Sequence, residues 1–396
     1  MVTFPQDWTE SKLLDHVDLI QGLTYTPENV QPHGTLVLRS SNIQNGYLSM
    51  DDTVYVDAYV SEDKKVQPGD ILVCVRNGSA ALIGKSCVLP KLHNTTFGAF
   101  MSVLRGDETG YIAKVFQSDI VQEQVRGRSN ATINQITKKD FQSITIPTPK
   151  KPEQRAIATA LSSFDAYISD LADLIEKKKA IREGAVTDLM TGKTRLSGFA
   201  APWESDTLGN LGTFTKGAPL SKADITETGT PFILYGELYT TYHEVTYTVN
   251  RHTKKDALEE CISRIGDVII PTSGETAEEI ATSCCVMVPG VILAGDLNIY
   301  RAPDMDGRFV SLVINHVINR KIAEVAQGIS IIHINAKVLS NMIINYPSRD
   351  EQAAIADTID DMDAEIASIE AERKKMIQIR EGAMNDLLTG RVRLSL

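Results

Sequence analysis

PEQRAIATALSSFDAYISDLADLIEKKKAIREGAVTDLMTGKTRL, residues 152–196, returns at residues 350–394 as DEQAAIADTIDDMDAEIASIEAERKKMIQIREGAMNDLLTGRVRL. Equivalent positions are 198 residues apart, as from Glu153 to Glu351, and 198 is half of the 396-residue chain. A repeat period of half the length indicates two copies of one structural unit. The sequence therefore predicts a duplicated molecule with a function in two parts.

Both copies have the apolar spacing of a long amphipathic helix. Apolar residues recur at alternating steps of four and three, which places them on one stripe. Each copy ends at a glycine, Gly192 or Gly390, that suits a helix C-terminus. About 40 residues predict a helix of about 60 Å, too long for one layer of a small domain. The stripe residues are Ile157, Leu161, Phe164, Ile168 and Leu171 in the first copy and Ile355, Ile359, Met362, Ile366 and Ile369 in the second.

One such helix alone is typical of a coiled-coil dimerisation element. Two copies in one chain can instead pair with each other, and a pseudo-twofold relation makes them antiparallel. Gly184 and Gly382 occupy equivalent positions inside the helices. Because glycine costs about 1 kcal/mol relative to alanine in a helix, we expect another helix to approach closely at both positions.

The segments before the helices have the pattern of mixed α/β domains. Runs such as DILVCV at 70–75 and DVIIPT at 267–272 predict strands, while 109–126 and 308–326 predict helices. The predicted class is α+β, in which two pseudo-repeated mixed α/β domains are joined by two long antiparallel helices that form an intramolecular coiled coil. In chain order, the first domain, first helix, second domain and second helix are predicted at 1–150, 151–197, 198–348 and 349–396.

Composition favours a cytoplasmic protein. The chain is 42% hydrophobic and 23% charged, and its sequence has neither a long apolar window nor a signal-peptide pattern at its start, so we expect no membrane span. The five cysteines lack C-x-x-C spacing, which predicts reduced, buried thiols and no metal site. A net charge of −11, concentrated in the second half, implies weak non-specific affinity for nucleic acid by this chain alone.

Polar residues beside a glycine follow equivalent strands of the two domains, and a second pair of polar segments precedes the next repeated block. Side chains of these types contact base edges and phosphates. An ordinary turn between strands explains the same residues equally well, so they are candidates only. The candidate nucleic-acid contacts are Arg76, Asn77, Ser79, Arg126, Arg128, Ser273, Thr276 and Gln327.

Catalytic motifs are absent from the sequence. H-E-x-x-H, G-x-S-x-G, G-x-G-x-x-G and the N-P-P-[FYW] or D-P-P-[FYW] motif of amino-methyltransferases do not occur. GKS at 84–86 and GKT at 192–194 imitate the end of a phosphate-binding loop, but Ser79 and Thr187 stand where its first glycine is required. We therefore expect a non-catalytic protein.

Together these features resemble the DNA-specificity subunit of Type I restriction-modification systems. The resemblance rests on the block I-P-x-P-x-x-x-E-Q-x-x-I-A at 146–158, on its looser copy at 344–356, and on I-R-E-G-A-x-x-D-L-x-T-G near both helix ends. The looser copy has only one of the two prolines, and Glu275 stands in the second loop where the first has Ser79. The resemblance implies two target-recognition domains, each reading one half of a bipartite DNA sequence.

The resemblance also implies partners. The helices would set the spacer between the half-sites and dock two methyltransferase subunits, with Gly184, Gly382 and the apolar stripes as docking or pairing residues. S-adenosylmethionine and catalysis would come with those subunits, so no cofactor is expected in this chain. Restriction endonuclease subunits would join, and double-stranded DNA would be the ligand. The alternative is a non-enzymatic coiled-coil scaffold that presents two ligand-binding domains; the missing motifs disfavour a self-sufficient methyltransferase.

Overall fold

The computed structural model describes residues 4–128, 134–326 and 332–395. The chain divides into two compact units, one formed by Met1–Ala172 with Ala371–Leu396 and the other by Asp173–Glu370. Both boundaries fall inside the long helices. Each unit therefore contains one upstream segment, the start of one long helix and the end of the other. The division into four segments made from the sequence stays a prediction.

Two helices of about 40 residues stand out among the helices of the described residues. The predicted helix at 109–126 is broken at Ser118, whose extended backbone ends the first helix. The predicted helix at 308–326 contains a π-helical turn at Ile314–Ile318. The helices are α1 (Thr109–Gln117), α2 (Asp119–Arg128), α3 (Lys138–Ser143), α4 (Lys151–Met190), α5 (Leu208–Leu211), α6 (Ala277–Ile280), α7 (Gly307–Val313), α8 (Asn319–Val325), α9 (Ala336–Ser340) and α10 (Arg349–Thr389).

The strands of the first unit form two four-stranded sheets and two strand pairs. They are β1 (Thr9–Lys12), β2 (Asp18–Gln21), β3 (Val30–Gln31), β4 (Thr35–Leu38), β5 (Ile43–Gln44), β6 (Tyr47–Leu48), β7 (Tyr55–Val56), β8 (Ile71–Cys74), β9 (Ser86–Val88), β10 (Thr95–Phe97), β11 (Met101–Arg105) and β12 (Thr145–Thr148). One sheet has the order β2-β11-β8-β9, and the other has the order β10-β4-β7-β3 with β10 and β4 parallel. β1 pairs with β12 and β5 with β6, both antiparallel.

The second unit repeats this plan. Its strands are β13 (Glu204–Thr207), β14 (Thr213–Lys216), β15 (Thr230–Leu234), β16 (Val245–Thr246), β17 (His252–Thr253), β18 (Asp267–Pro271), β19 (Ser273–Gly274), β20 (Cys284–Val286), β21 (Ile292–Ala294), β22 (Leu297–Arg301), β23 (Ile332–His333) and β24 (Ile343–Tyr346). The order β14-β22-β18-β20-β16 matches the first sheet of the first unit, and β17-β15-β21 contains the equivalent parallel pair. β13 pairs with β24, as β1 does with β12. The predicted α+β class and the predicted duplication are confirmed.

In each unit the helix stripes contribute to the hydrophobic core. Complete burial of one isoleucine or leucine side chain contributes about 2 kcal/mol. The core residues from the long helices include Ile157, Leu161, Leu387 and Leu388 in the first unit and Val186, Leu189, Ile355 and Ile359 in the second. Of the other stripe residues, the buried ones are Ile168, Leu171 and Ile366, and the partly buried ones are Phe164, Met362 and Ile369.

The structure bears on three further expectations, which concern the cysteines, membrane-spanning helices and the glycines inside the long helices. The five cysteines are all buried with free thiols, as expected for small apolar residues. Within 4–128, 134–326 and 332–395, no helix combines the length and apolarity needed to cross a membrane. A side chain added at Gly184 or Gly382 meets nothing within 4 Å in that part of the chain. The close helix approach expected at these glycines is therefore not made by the described residues.

Candidate nucleic-acid interface

The candidate loop of the first unit leaves the end of β8 and lies beside the start of β11. The backbone N–H groups of Val75 and Arg76 both donate to the Phe100 carbonyl, at 3.0 and 3.1 Å. The Arg76 guanidinium lies over the Phe100 ring, 5.1 Å from its centroid, and 56% of Phe100 is exposed. Arginine binds phosphates and guanine edges, and aromatic rings stack on bases. This pair therefore has the chemistry of a nucleic-acid contact.

Asn77 holds this loop in place. Its side-chain N–H donates to Ser40 Oγ at 3.1 Å, and its side-chain oxygen accepts from the backbone N–H of Ser79 at 3.0 Å. Its own backbone N–H donates to the Asn134 carbonyl at 3.1 Å. Both ends of the Asn77 amide are thus engaged within the protein, whereas Arg76 and Ser79 are exposed. The structure brings Arg76 and Ser79 to one loop, with Asn77 as its support.

The two arginines of α2 differ in their availability. Arg128 Nε donates to Ser143 Oγ at 2.7 Å, and Arg128 Nη1 donates to the Gln124 carbonyl at 2.8 Å. The bond to Ser143 fastens the end of α2 to α3. Arg126 is exposed, and among the described residues its one side-chain contact is a long one of 3.4 Å with Asp119, an ion pair that water screens strongly. Arg126 is therefore free to contact a phosphate, and Arg128 is used in the fold.

The equivalent loop of the second unit has different chemistry. The backbone N–H of Thr272 donates to the Asp296 carbonyl at 2.7 Å, in the place of the bonds to Phe100 in the first unit. Ser273 is buried, and its hydroxyl donates to the Asp296 carboxylate at 3.0 Å. Asp296 itself is exposed. The shared scaffold therefore presents a cation on a ring in one unit and a carboxylate in the other.

The remaining candidates of the second unit lie on either side of this loop. Thr276 Oγ1 accepts from the backbone N–H of Glu279 at 3.1 Å, which caps the start of α6. Thr276 thus has a structural partner. Gln327 lies outside the described residues.

Phe100 and Asp296 belong to the candidate interface but were not among the contacts predicted from the sequence. Both come shortly after equivalent glycines, Gly98 and Gly295, that lead into β11 and β22. A side chain added at Gly22 would lie 2.0 Å from the Gly98 carbonyl oxygen, so this crossing needs glycine. An internal alignment of the two halves around these glycines could have pointed to both residues.

An ion pair between the long helices anchors the upstream segment of the first unit. Arg380 Nε on α10 donates to Asp165 Oδ1 on α4 at 2.9 Å. The same carboxylate accepts from Lys114 of α1 and from the Tyr47 hydroxyl, the latter at 3.3 Å. Because Lys114 and Asp165 are both largely buried, the loss of one partner would leave the other charge uncompensated.

The second unit contains the equivalent ion pair between the long helices, but its upstream segment contributes an anion where that of the first unit contributes a cation. Arg182 on α4 donates to Asp363 on α10, with Nε to Oδ1 at 2.6 Å. Here the upstream segment contributes an anion, Glu244, which accepts from Arg182 and from His316. Burial raises the pKa of Glu244, but the hydrogen bonds from His316 and Arg182 outweigh burial and lower it to about 2. His316 lies in the π-helical turn, a distortion that often marks a functional position.

A further repeated pair joins the start of one long helix to the segment after the other. In the first unit Arg393 Nη2 donates to Glu153 Oε2 at 2.9 Å, and in the second unit Arg195 Nη2 donates to Glu351 Oε2 at 2.6 Å. Both glutamates are buried, so each needs its arginine. The glutamate of the repeated E-Q block therefore has a structural role.

Comparison with known proteins gives consistent matches. Residues 5–181 and 201–378 each match the Type I restriction modification DNA specificity domain. The Type I restriction enzyme StySPI specificity subunit of Salmonella potsdam is 30% identical over 224 residues, which cover 52% of this chain and 48% of that protein. The chain thus spans about half the length of this relative. The putative MjaX specificity subunit of Methanocaldococcus jannaschii is 25% identical, over 98% of this chain and 95% of that protein.

A solved structure has a similar fold. The crystal structure of the Type I restriction-modification system S subunit from M. genitalium superimposes with a TM-score of 0.61 at 18% identity, covering 96% of each chain. At this identity the likeness concerns the fold alone. The two domain matches cover most of the sequence, and the sheets of the two units repeat one plan. The chain therefore belongs to the family of Type I restriction modification DNA specificity domains, of which it carries two copies.

Proposed function

We propose that the protein is the DNA-specificity subunit of a Type I restriction-modification complex and that each unit reads one half of a bipartite target. The observation that carries this proposal is the pair of equivalent loops with different chemistry. Arg76 on Phe100 suits the acceptors of a guanine edge, whereas the Asp296 carboxylate suits an amino group such as cytosine N4. Two domains with one scaffold and different contact groups fit a target of two unlike halves.

The two long helices pair as an antiparallel coiled coil and set the spacer between the half-sites. Within the first unit, Asp165 contacts Arg380 and Tyr167 contacts Glu372. Within the second unit, Lys178 Nζ lies 2.7 Å from Glu365. Tyr167 follows Asp165 on α4 but has the earlier partner on α10. In the same way Arg182 follows Lys178 and pairs with the earlier Asp363, which supports the antiparallel arrangement. Burial of the apolar stripes supports the pairing.

The helices also dock two methyltransferase subunits. Gly184 and Gly382 have open space around them, and Ile181 and Ile379, one helical turn earlier, are 59% and 41% exposed. An exposed isoleucine at the equivalent position of each helix fits two identical partners. The methyltransferases bring S-adenosylmethionine and catalysis, restriction endonuclease subunits join the complex, and this chain acts without catalysis in the cytoplasm.

Mapping of methylated adenines in DNA tests the proposal. The chain is expressed with its partner methyltransferase, and the modified sites are sequenced; a gapped motif with two short halves is expected. Exchange of residues 1–150 for the equivalent segment of another specificity subunit should change one half of the motif. If both halves change, the units are not separate readers.

A gel-shift experiment separates this proposal from the scaffold alternative. With the methyltransferase present, the chain should shift a duplex that carries the mapped motif and not one with either half scrambled. A coiled-coil scaffold for two other ligands predicts no preference between these duplexes.

A further inference from the structure

The second unit contains a cavity of about 590 Å³ beside its candidate loop. It is lined by Thr272, which directly follows β18, by the paired ends of β14 and β22, and by the residues at the start of α9. A volume of this size is in the range of small-molecule sites, which is about 300–1,000 Å³. The cavity can therefore hold a group as large as a nucleobase.

Asn298 is the unusual residue of this cavity. It lies on β22 directly opposite Lys216 of β14, and only 1% of it is exposed. Its side-chain Nδ2 has no hydrogen-bond partner in 4–128, 134–326 and 332–395. A buried donor without a partner is costly, and native proteins keep few of them. An amide in this state at a cavity wall is suited to a ligand that supplies an acceptor.

The other lining residues define the kind of ligand. Pro219, Leu297 and Val338 supply apolar surface, Asp296 supplies a carboxylate acceptor and Lys216 supplies a cation. A nucleobase has apolar faces and an edge with donors and acceptors, and flipped-out bases are held between apolar side chains with hydrogen bonds to that edge. The amide donor and the carboxylate acceptor together fit a base that carries both a ring acceptor and an exocyclic amine, which adenine and cytosine do.

The first unit has a cavity at the equivalent place. It has a volume of about 690 Å³ and is lined by Gly98 and Phe100, as the second cavity is lined by Gly295 and Asp296. In the first unit Ser102 occupies the strand position of Asn298, and it faces Gln21 where Asn298 faces Lys216. The two cavities therefore share one wall. Among the described residues, the first is lined by a different unpartnered donor, Arg39 Nε, whereas the unpartnered amide lines the second.

We propose that the cavity of the second unit binds one nucleobase, adenine or cytosine, that is turned out of the second half-site. The side-chain N–H of Asn298 donates to the ring acceptor of that base, and the Asp296 carboxylate accepts from its exocyclic amine. Lys216 lies near the backbone phosphate of the same nucleotide. This inference rests on the proposed function, because it requires that the second unit reads DNA.

The test uses the chain with its methyltransferase partner and duplexes that contain the mapped motif. 2-Aminopurine replaces, one at a time, the base next to each adenine or cytosine of the second half-site, where its fluorescence reports that the neighbouring base has left the stack; the neighbour of the methylated adenine is left out of the series. We expect the fluorescence to rise on binding at one position. Asn298→Ala should abolish that rise and weaken binding at least tenfold, whereas Ser102→Ala, the matched change in the first unit, should alter neither. Asn298→Asp keeps the size of the side chain but removes the donor, and it should behave as Asn298→Ala does.

The outcomes separate the two proposals. If the wild-type complex binds the motif but no position gives a rise, or if the rise survives Asn298→Ala, the cavity does not bind a base of the target. If free adenosine and cytidine raise the melting temperature of the wild type but not of Asn298→Ala, while the duplex series gives no rise, the assignment to a DNA base is wrong. If the wild-type complex has no preference for the motif, the proposed function itself fails.

Discussion

Replacement of Glu244 by glutamine removes a buried charge with little change in shape. In the second unit this carboxylate accepts from Arg182 and His316, and 18% of the side chain is exposed. Its pKa of about 2 in the folded protein compares with an ordinary value of 4.5, because the two hydrogen bonds outweigh the effect of burial. The folded state therefore stabilises the charged form of Glu244.

The difference in pKa sets the expected loss of stability. One pKa unit corresponds to about 1.4 kcal/mol, so the shift corresponds to about 3 kcal/mol of unfolding free energy at pH 7. Because the pKa is lowered by folding, this contribution is complete above pH 4.5 and is lost as the pH falls through about 2. We expect Glu244→Gln to lower the unfolding free energy by about 3 kcal/mol at pH 7 and by about 1 kcal/mol at pH 3.

The two tryptophans of the chain allow each unit to be followed separately. Trp8 lies in the first unit and Trp203 in the second. In a Trp8→Phe background, the fluorescence of Trp203 during urea unfolding reports on the second unit. Asp361→Asn changes an exposed carboxylate of α10 and serves as the control, with an expected effect below about 0.5 kcal/mol.

Two results would refute this reasoning. The first is a loss from Glu244→Gln that is no larger than the loss from the control at pH 7. The second is a loss of the same size at pH 7 and pH 3, because the charge effect must fade once the carboxylate of the unfolded state is protonated. A steric effect of the substitution would have no such pH dependence.

Three further predictions concern DNA. The purified chain with S-adenosylmethionine and DNA should methylate nothing, and addition of the methyltransferase should restore methylation at a gapped site; transfer of labelled methyl groups by the chain alone would contradict this. Arg76→Ala should weaken base discrimination in only the first half of the sequenced motif, by about 1–3 kcal/mol. An unchanged motif and affinity would show that its loop is an ordinary turn. Insertion of one heptad after both Ala172 and Ser368 should add about 10 Å and lengthen the gap by about three base pairs, as sequencing of methylated sites would reveal; an unchanged gap would show that the helices do not set the spacer.

The duplication and the long helices could be predicted from the sequence because their causes are local. The spacing of apolar residues along one segment decides which face of a helix avoids water, so the stripes from Ile157 and Ile355 were visible without a fold. The strands around 70–75 and 267–272 were visible for the same reason. The spacing of the cysteines predicted their burial as free thiols, which the structure confirms, and the lack of catalysis that the missing motifs predict stays a prediction.

Only the tertiary structure decided which polar groups are paired. The partners of Glu244 lie 62 and 72 residues away in the chain, and those contacts, together with burial, set its pKa. Asn77 was predicted as a DNA contact, yet its amide is hydrogen-bonded to neighbouring residues. Asn298 was not among the predicted contacts, yet its buried amide donor has no partner in the described residues. Residue type states what a side chain can donate or accept. Whether that capacity is already used depends on which distant residues the fold brings within about 3 Å, and no local pattern contains that information.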